Sequence, residues 1–313
     1  MKRILLLLCL ISAIISSKAE TIFEVNNLYY SLNDDNTVTL VAPPKDDNSP
    51  EEDNNKYKGD IVIPSMVKYK GKNYTVTEIG ESAFAFCDLH RIVIPNSVTK
   101  IGKQAFIFSN LIRVKIPDSV TSIGEQAFAY CTNLLIVKIP ASVTSIGEQA
   151  FLLCDYLTKI KVDPNNPVYA SVDGVLYSKN VDTLVCCPPG REGTVTIPHS
   201  VTSIKAEAFS NCIYLTGVEI PNSVTEIGRQ AFRDCSSLTS INIPDSVTSI
   251  GERAFSRCNS LTSVEIPNSV IEIGLFAFFG CENLKSATIP ARFMSEKDKI
   301  FKDCPNLKRV KTI

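Results

Sequence analysis

"IPDSVTSIGEQAFAYC", residues 116–131, comes back with small changes as "IPASVTSIGEQAFLLC" from Ile139, "IPNSVTEIGRQAFRDC" from Ile220, "IPDSVTSIGERAFSRC" from Ile243 and "IPNSVIEIGLFAFFGC" from Ile266. Anchored on its proline, the unit falls at Pro64, Pro95, Pro117, Pro140, Pro198, Pro221, Pro244, Pro267 and Pro290. The steps between them are 31, 22, 23, 58, 23, 23, 23 and 23 residues, and the step of 58 holds one repeat plus an insertion. A fixed period near 23 with apolar residues at constant offsets is the mark of a solenoid. Each unit is one coil that cannot bury its own apolar face and does so by stacking on its neighbours.

The consensus I-P-x-S-V-T-x-I-G-x-x-A-F-x-x-C-x-x-L-x-x-V-x assigns its own local structure. Leu261, Val264 and Ile266 end one unit and begin the next, and Val-x-Ile has the period of two that makes a short strand. The proline lacks the N–H that a ladder needs, so it closes that strand at the same place in every coil. Val-Thr-x-Ile alternates as well and reads as a second short strand. Gly124, Gly147, Gly228, Gly251 and Gly274 follow it at an expected sharp turn. In A-F-x-x-C-x-x-L the apolar residues lie three apart, which predicts about two helical turns burying one face.

This pattern, in six nearly intact copies and several worn ones over about Ile61 to Ile313, resembles the leucine-rich repeats of the BspA-like family of bacterial surface proteins. The resemblance implies an α/β leucine-rich repeat solenoid of about nine coils, with short parallel strands and short helical turns. It also implies adhesion to host extracellular or surface proteins, or to other cells. The matching residues are the buried ones, so they carry fold and say little about ligand.

Two segments do not repeat. Within residues 20–60, "FEVNNLYYSLNDDNTVTLVAP" carries two alternating apolar runs around Asp34-Asp35-Asn36 and reads as a hairpin that caps the open first coil. The acidic run "PPKDDNSPEEDNNK" after it lacks the spacing of a calcium loop and reads as solvated loop. The insertion, about residues 163–193, carries Asp173-Gly174 and Lys179-Asn180 between apolar runs. It reads as a β-hairpin or small meander on the wall of one continuous repeat domain, residues 61–313.

Residues 1–19 have Lys2 and Arg3, an apolar run from Ile4 to Ile15, and the ending Ser17-Lys18-Ala19. That is the pattern of a secretory signal peptide, and it predicts an exported protein: secreted, periplasmic or at the cell surface, with no membrane insertion after cleavage. The formal net charge of −1 gives no global reason to expect a nucleic-acid partner. Eight of the eleven cysteines sit on the repeat: Cys87, Cys131, Cys154, Cys212, Cys235, Cys258, Cys281 and Cys304. Ser109 holds that place in the remaining repeat. Export favours disulfides, but equivalent residues of stacked coils point the same way about 4.8 Å apart, whereas bonded cysteines want Cβ atoms about 3.8 Å apart. The reading is a ladder of buried free thiols, with disulfides as the alternative.

No metal or cofactor is implied, since no ligands stand at CxxC or HxxxH spacing. His90 and His199 have no nucleophile fixed beside them, and no GxSxG, HExxH, phosphate loop or GxGxxG is present. The chain does not read as an enzyme. What varies between coils is more informative. The two outward positions of the Val-x-Ile strand carry Arg91, Arg113, Lys115, Lys138, Lys159 and Lys161 before the insertion, and mostly small, neutral or acidic residues after it. These six are the candidate ligand-binding residues, in two columns able to act together on an anion. A solvated face is the plain alternative. Between Phe and Cys the early coils hold Ala85-Phe86, Ile107-Phe108, Ala129-Tyr130 and Leu152-Leu153, a stripe expected to be buried under the cap or insertion, or else to meet a partner or glycan. The expected function is a non-catalytic adhesin or protein-interaction scaffold. An envelope-associated module for anionic polysaccharide is the alternative.

Overall fold

Eight of the nine Ile-Pro steps follow a short strand, all but that at Pro244, and the coils stack one upon another. The computed structural model describes residues 21–44 and 57–313. The expected signal segment and most of the acidic run lie outside these residues. The chain forms a solenoid of about ten turns, close to the nine read from the prolines.

Two ladders of short parallel strands run along it. The Val-Thr-x-Ile ladder passes through Thr37–Val41, Lys72–Ile79, Lys100–Ile101, Ser122–Ile123 and Ser145–Ile146, in register Ile79, Ile101, Ile123, Ile146. It resumes through Thr183–Cys186, Ser203–Ile204, Glu226–Ile227, Ser249–Ile250 and Glu272–Ile273. The Val-x-Ile ladder includes Lys58–Val62, Asp88–Val93 and Arg113–Val114, then Ile136–Ile139 with Lys159–Val162, and later strands as far as Arg309–Thr312.

The third side is built differently from expectation. Phe106, Leu111, Phe232, Cys235 and Leu238 are fully buried, as the three-residue spacing requires. The backbone there is a succession of tight turns rather than a helix, and helical residues occur, among those described, only in Ala291–Glu296 and Lys297–Ile300. Two residues per turn take left-handed angles, such as Gln104 (φ 53°) and Phe108 (φ 57°). Alternate N–H groups therefore point different ways. Ile107 and Ser109 donate within the coil, to Gln104 and Phe106, while Phe106 and Phe108 donate to Ala127 and Ala129 of the next coil. Every second backbone donor thus stitches coils together, which a helix could not do.

The repeated glycine has a cause other than a positive φ. A Cβ on Gly124 would lie 2.5 Å from the carbonyl carbon of Gly102, so the coils approach too closely at this corner for any side chain. Lys205 stands at the same position just after the insertion, where its N–H bonds to the Leu184 carbonyl of the insertion's ladder strand.

The buried rings stack through the core, Phe84 on Phe106 at 5.4 Å and Phe232 on Phe255 at 5.0 Å. Phe232→Ala should cost about 3–5 kcal/mol, because neighbouring coils fixed by backbone bonds cannot collapse into the space. Arg233→Ala, at a partly exposed position with a surface ion pair to Asp234, should cost under about 1 kcal/mol. Urea titration of the two variants checks the register, and equal losses would refute it.

The cysteines among the described residues are free thiols. Cys131, Cys154, Cys235, Cys258 and Cys281 each donate to the carbonyl of the core Phe one coil earlier, at 3.0–3.2 Å. A small donor beside a carbonyl is what the position needs, and Ser109 fills the same place. Cys304, in the last coil, makes the same bond but is only partly covered.

Cap and insertion are two versions of one unit. In the cap, Ile22–Val25 pairs antiparallel with Leu28–Leu32, which pairs with Thr37–Val41, and that third strand enters the parallel ladder. In the insertion, Tyr169–Val172 pairs with Val175–Ser178, then Thr183–Cys186, which enters the ladder at Ser203–Ile204. The expected hairpin is there, and its third strand takes a coil's place in the wall.

Candidate functional site

Alternation on the Val-x-Ile strands decides which side chains leave the core. Ile92, Val114, Val137 and Ile160 point inward and are buried, so Arg91, Arg113, Lys115, Lys138, Lys159 and Lys161 point outward, and all six are exposed. Arg91 is in register with Arg113, and Lys138 with Lys161. Within each column, residues of paired strands are therefore true neighbours, one strand spacing of about 4.8 Å apart.

Arg113, Lys115, Lys138 and Lys161 line one groove together with Leu135, Ile136, Asp118 and Asp163. Arg91 lines a second depression that continues from the first through Arg113 and Lys115. Lys159 lies at the border of the insertion, its side chain against Gly174. The structure thus gathers five of the six into adjoining hollows and leaves Lys159 at their margin.

None of the six forms an ion pair with a carboxylate of the described residues. Cations elsewhere do: Lys100 with Glu78 at 2.8 Å, Lys103 with Glu125 at 3.0 Å, Arg229 with Glu207 at 2.9 Å, and Arg191 with Asp173. Like charges at this separation repel by roughly 1 kcal/mol per pair in water. The fold tolerates that cost, and an anion lying across the columns would relieve it.

Sequence reasoning missed the apolar part of this surface. His90, Ile112, Leu135 and Tyr156 line a further hollow with Asn110 and Asn133. Ile112, Leu135 and Tyr156 are all exposed. They occupy the positions on either side of the buried leucine of each repeat, where later coils carry mostly Ser, Thr and Asn. Comparing those columns coil by coil is the signal that finds them.

The expected burial of the aromatic stripe is wrong for its outer residues. Ile107 and Ala129 are buried, but Phe86 and Phe108 are 55% and 42% exposed. Neither cap nor insertion covers them, because both enter the Val-Thr-x-Ile ladder on another side of the coil. Phe86 stacks on Phe108 at 4.9 Å and Phe108 on Tyr130 at 4.1 Å, with interplanar angles of 10° and 17°.

Among the described residues no group of three or more His, Cys, Asp or Glu side chains could hold a metal ion, and no helix is long and apolar enough to cross a membrane. His90 and His199 are both exposed.

The family model for "BspA type Leucine rich repeat region" matches residues 67–171 and 193–308 in six copies, well over half the chain. The chain belongs to the BspA-type leucine-rich repeat family. The match omits the cap and the middle of the insertion, the two units that interrupt the repeat. Among solved structures, a leucine-rich repeat protein from Eubacterium ventriosum is similar with 25% identity over 94% of this chain and 85% of that one, TM-score 0.69. The pneumococcal vaccine antigen PcpA is similar with 22% identity over 95% of this chain and 89% of that one, TM-score 0.68, a likeness of fold. A leucine rich cell surface protein from Faecalibacterium prausnitzii has 26% identity over 95% and 96% of the two chains, TM-score 0.56. Comparison with curated proteins finds no match.

Proposed function

We propose that this BspA-type protein is an exported, non-catalytic binder, an adhesin or interaction scaffold whose N-terminal half engages an acidic segment of a protein partner. One observation carries the reading: six exposed cations in two strand columns, none paired with a carboxylate of the described residues, on a molecule that pairs other cations. Extended repeat surfaces are suited to large partners. A structural neighbour described as a leucine rich cell surface protein supports a location outside the cell, in line with the leader read at residues 1–19. An anionic polysaccharide is the second reading, favoured by the regular spacing of the columns, which suits a polymer with repeating charge.

Replacing Lys115, Lys138 and Lys161 together by Ser should lower affinity for an anionic polymer at least tenfold, since each cation–anion contact in a shallow groove contributes about 0.5–1 kcal/mol. The melting temperature should stay within a few degrees of the parent, because all three are exposed. Binding of polyglutamate and of heparin, measured between about 50 mM and 300 mM salt, should fall steeply as salt rises. A glycan array set against a panel of matrix proteins separates the two readings. Binding that survives both high salt and the triple change would remove the strand face from consideration.

A further inference from the structure

The residue before the repeat cysteine is left-handed in every coil: Phe86, Phe108, Tyr130 and Leu153 before the insertion, Asn211, Asp234, Arg257, Gly280 and Asp303 after it, with φ between 53° and 66°. Asn, Asp and Gly are the residues that tolerate this region, and the later coils mostly use them. The early coils place bulky aromatic residues there instead, against the local backbone preference. Such cost persists where something else is gained. The core gains nothing, because Phe86 and Phe108 project outward and are about half exposed.

The stack limits what these rings can contact. Phe86, Phe108 and Tyr130 lie face to face, so the sides turned to a ligand are ring edges and the faces are largely spent on one another. A sugar ring needs an open aromatic face, and this ridge offers one only at its ends. Ring edges carry the positive rim of the aromatic quadrupole, which suits oxygen atoms and the faces of a partner's own aromatic rings.

The ridge approaches the candidate site, since Asn110, two residues after Phe108, lines the hollow of Ile112, Leu135 and Tyr156. One polar column lies between them, where Asn110 donates to Asp88 at 2.7 Å and so is internally satisfied. Beyond it come the hollow of His90, Ile112, Leu135 and Tyr156 and then the basic columns. Ile112 and Leu135 line depressions rather than project. A flat lipid surface would leave such depressions empty, whereas the side chains of a polypeptide can fill them.

We propose that the aromatic ridge and the basic columns form one amphipathic dock for an acidic polypeptide carrying aromatic or aliphatic side chains. This rests on the strand-face reading above and adds the chemical class of the partner: carboxylates over the lysine columns, apolar side chains in the adjoining hollow and against the ring edges.

The test uses the full chain and two soluble probes, polyglutamate and a random copolymer of glutamate and tyrosine, with Phe86→Asn/Phe108→Asn as the variant. Asparagine suits the left-handed backbone and already stands at Asn211, so the variant should fold at least as well as the parent. The parent should bind the copolymer roughly tenfold more tightly than polyglutamate, the sum expected of two or three edge contacts. The variant should bind polyglutamate as the parent does and lose most of the preference for the copolymer, keeping only what the hollow of Ile112, Leu135 and Tyr156 contributes. If the parent binds neither probe at low salt, the strand-face reading falls and the ridge proposal falls with it. If it binds polyglutamate and the copolymer no better, or if the variant keeps the preference, only the ridge proposal is overturned. Binding to phosphatidylglycerol vesicles that is lost in the variant, with both polymers unaffected, would assign the ridge to a lipid surface and overturn it equally.

Discussion

Stability should fall steeply as pH rises from about 9 towards 11 with a reductant present, and the buried thiols are the cause. Burial pushes the Cys131 thiol up to about 11 and that of Cys87 to about 11, and raises Cys154, Cys235 and Cys258 as well. The direction follows from proton counting. Below about 9 both states hold the thiol proton, and the preference for the folded state is fully present. Above that the unfolded chain releases the proton and the folded chain does not, so folding loses about 1.4 kcal/mol per pH unit for each thiol until the folded value is passed. Three such thiols would remove roughly 4 kcal/mol per unit, against a total of about 5–15 kcal/mol for an ordinary domain. The buried hydroxyl of Tyr30, pushed up to about 12 by burial and without a hydrogen-bond partner, adds in the same direction. Urea midpoints measured between about pH 8 and pH 10.5 should show the slope. Cys235→Ser keeps a small donor beside the Phe209 carbonyl, at a place that Ser109 fills in its own coil, but does not ionise in this range. Its slope should be shallower by one thiol's share. A flat profile to pH 10.5 would mean that the cysteine ladder is not closed off from solvent.

The ladder was legible because periodicity reports buried positions. Phe232, Cys235 and Leu238 recur at fixed offsets since each coil presents the same hole to its neighbours. The backbone that carries them was not legible from that spacing, because residues three apart face one way in a helix and in a chain of tight turns alike. The distinguishing trace is in the variable column: Asn211, Asp234, Gly280 and Asp303 are residues of left-handed positions, and a helix would have no reason to collect them. Outward strand positions follow from alternation, so Arg91, Arg113 and the lysines fell on one face as expected. Their lack of carboxylate partners among the described residues depends on side-chain directions that no spacing encodes. The exposure of Phe86 and Phe108 was misjudged for a related reason. The sequence shows that an insertion exists, but not which side of the coil it joins.

Residues 163–313 should fold without the rest of the chain, and residues 20–162 should not. Strand alternation within the insertion divides the core in two. Leu176 packs into the core that runs from Phe23 to Ile160, while Val175 and Tyr177, its immediate neighbours, pack into the core that runs on through Phe301. One strand thus closes the first apolar column with one face and opens the second with the other. The core ring stack is interrupted at the same place, with Phe151 ending one run and Phe209 beginning the next. The insertion also repeats the plan of the N-terminal cap, down to tight turns at Asn26-Asn27 and Asp173-Gly174 that take positive φ and to Thr39-Leu40-Val41 and Thr183-Leu184-Val185 in the ladder strand. A solenoid needs its first coil sealed, and a fragment starting at Asp163 carries its own seal. A fragment ending at Val162 loses its own, exposing Phe151, Leu157 and Ile160, which are buried in the whole chain. Three such side chains forfeit about 1.5–3 kcal/mol each, enough to matter against the stability of a half-length solenoid. Circular dichroism and urea unfolding of the two purified fragments decide it. The expected result is a cooperative transition for 163–313 and none, or aggregation, for 20–162. If 163–313 shows no transition while the full chain does, the insertion is only a wall element and the two apolar columns stand or fall together.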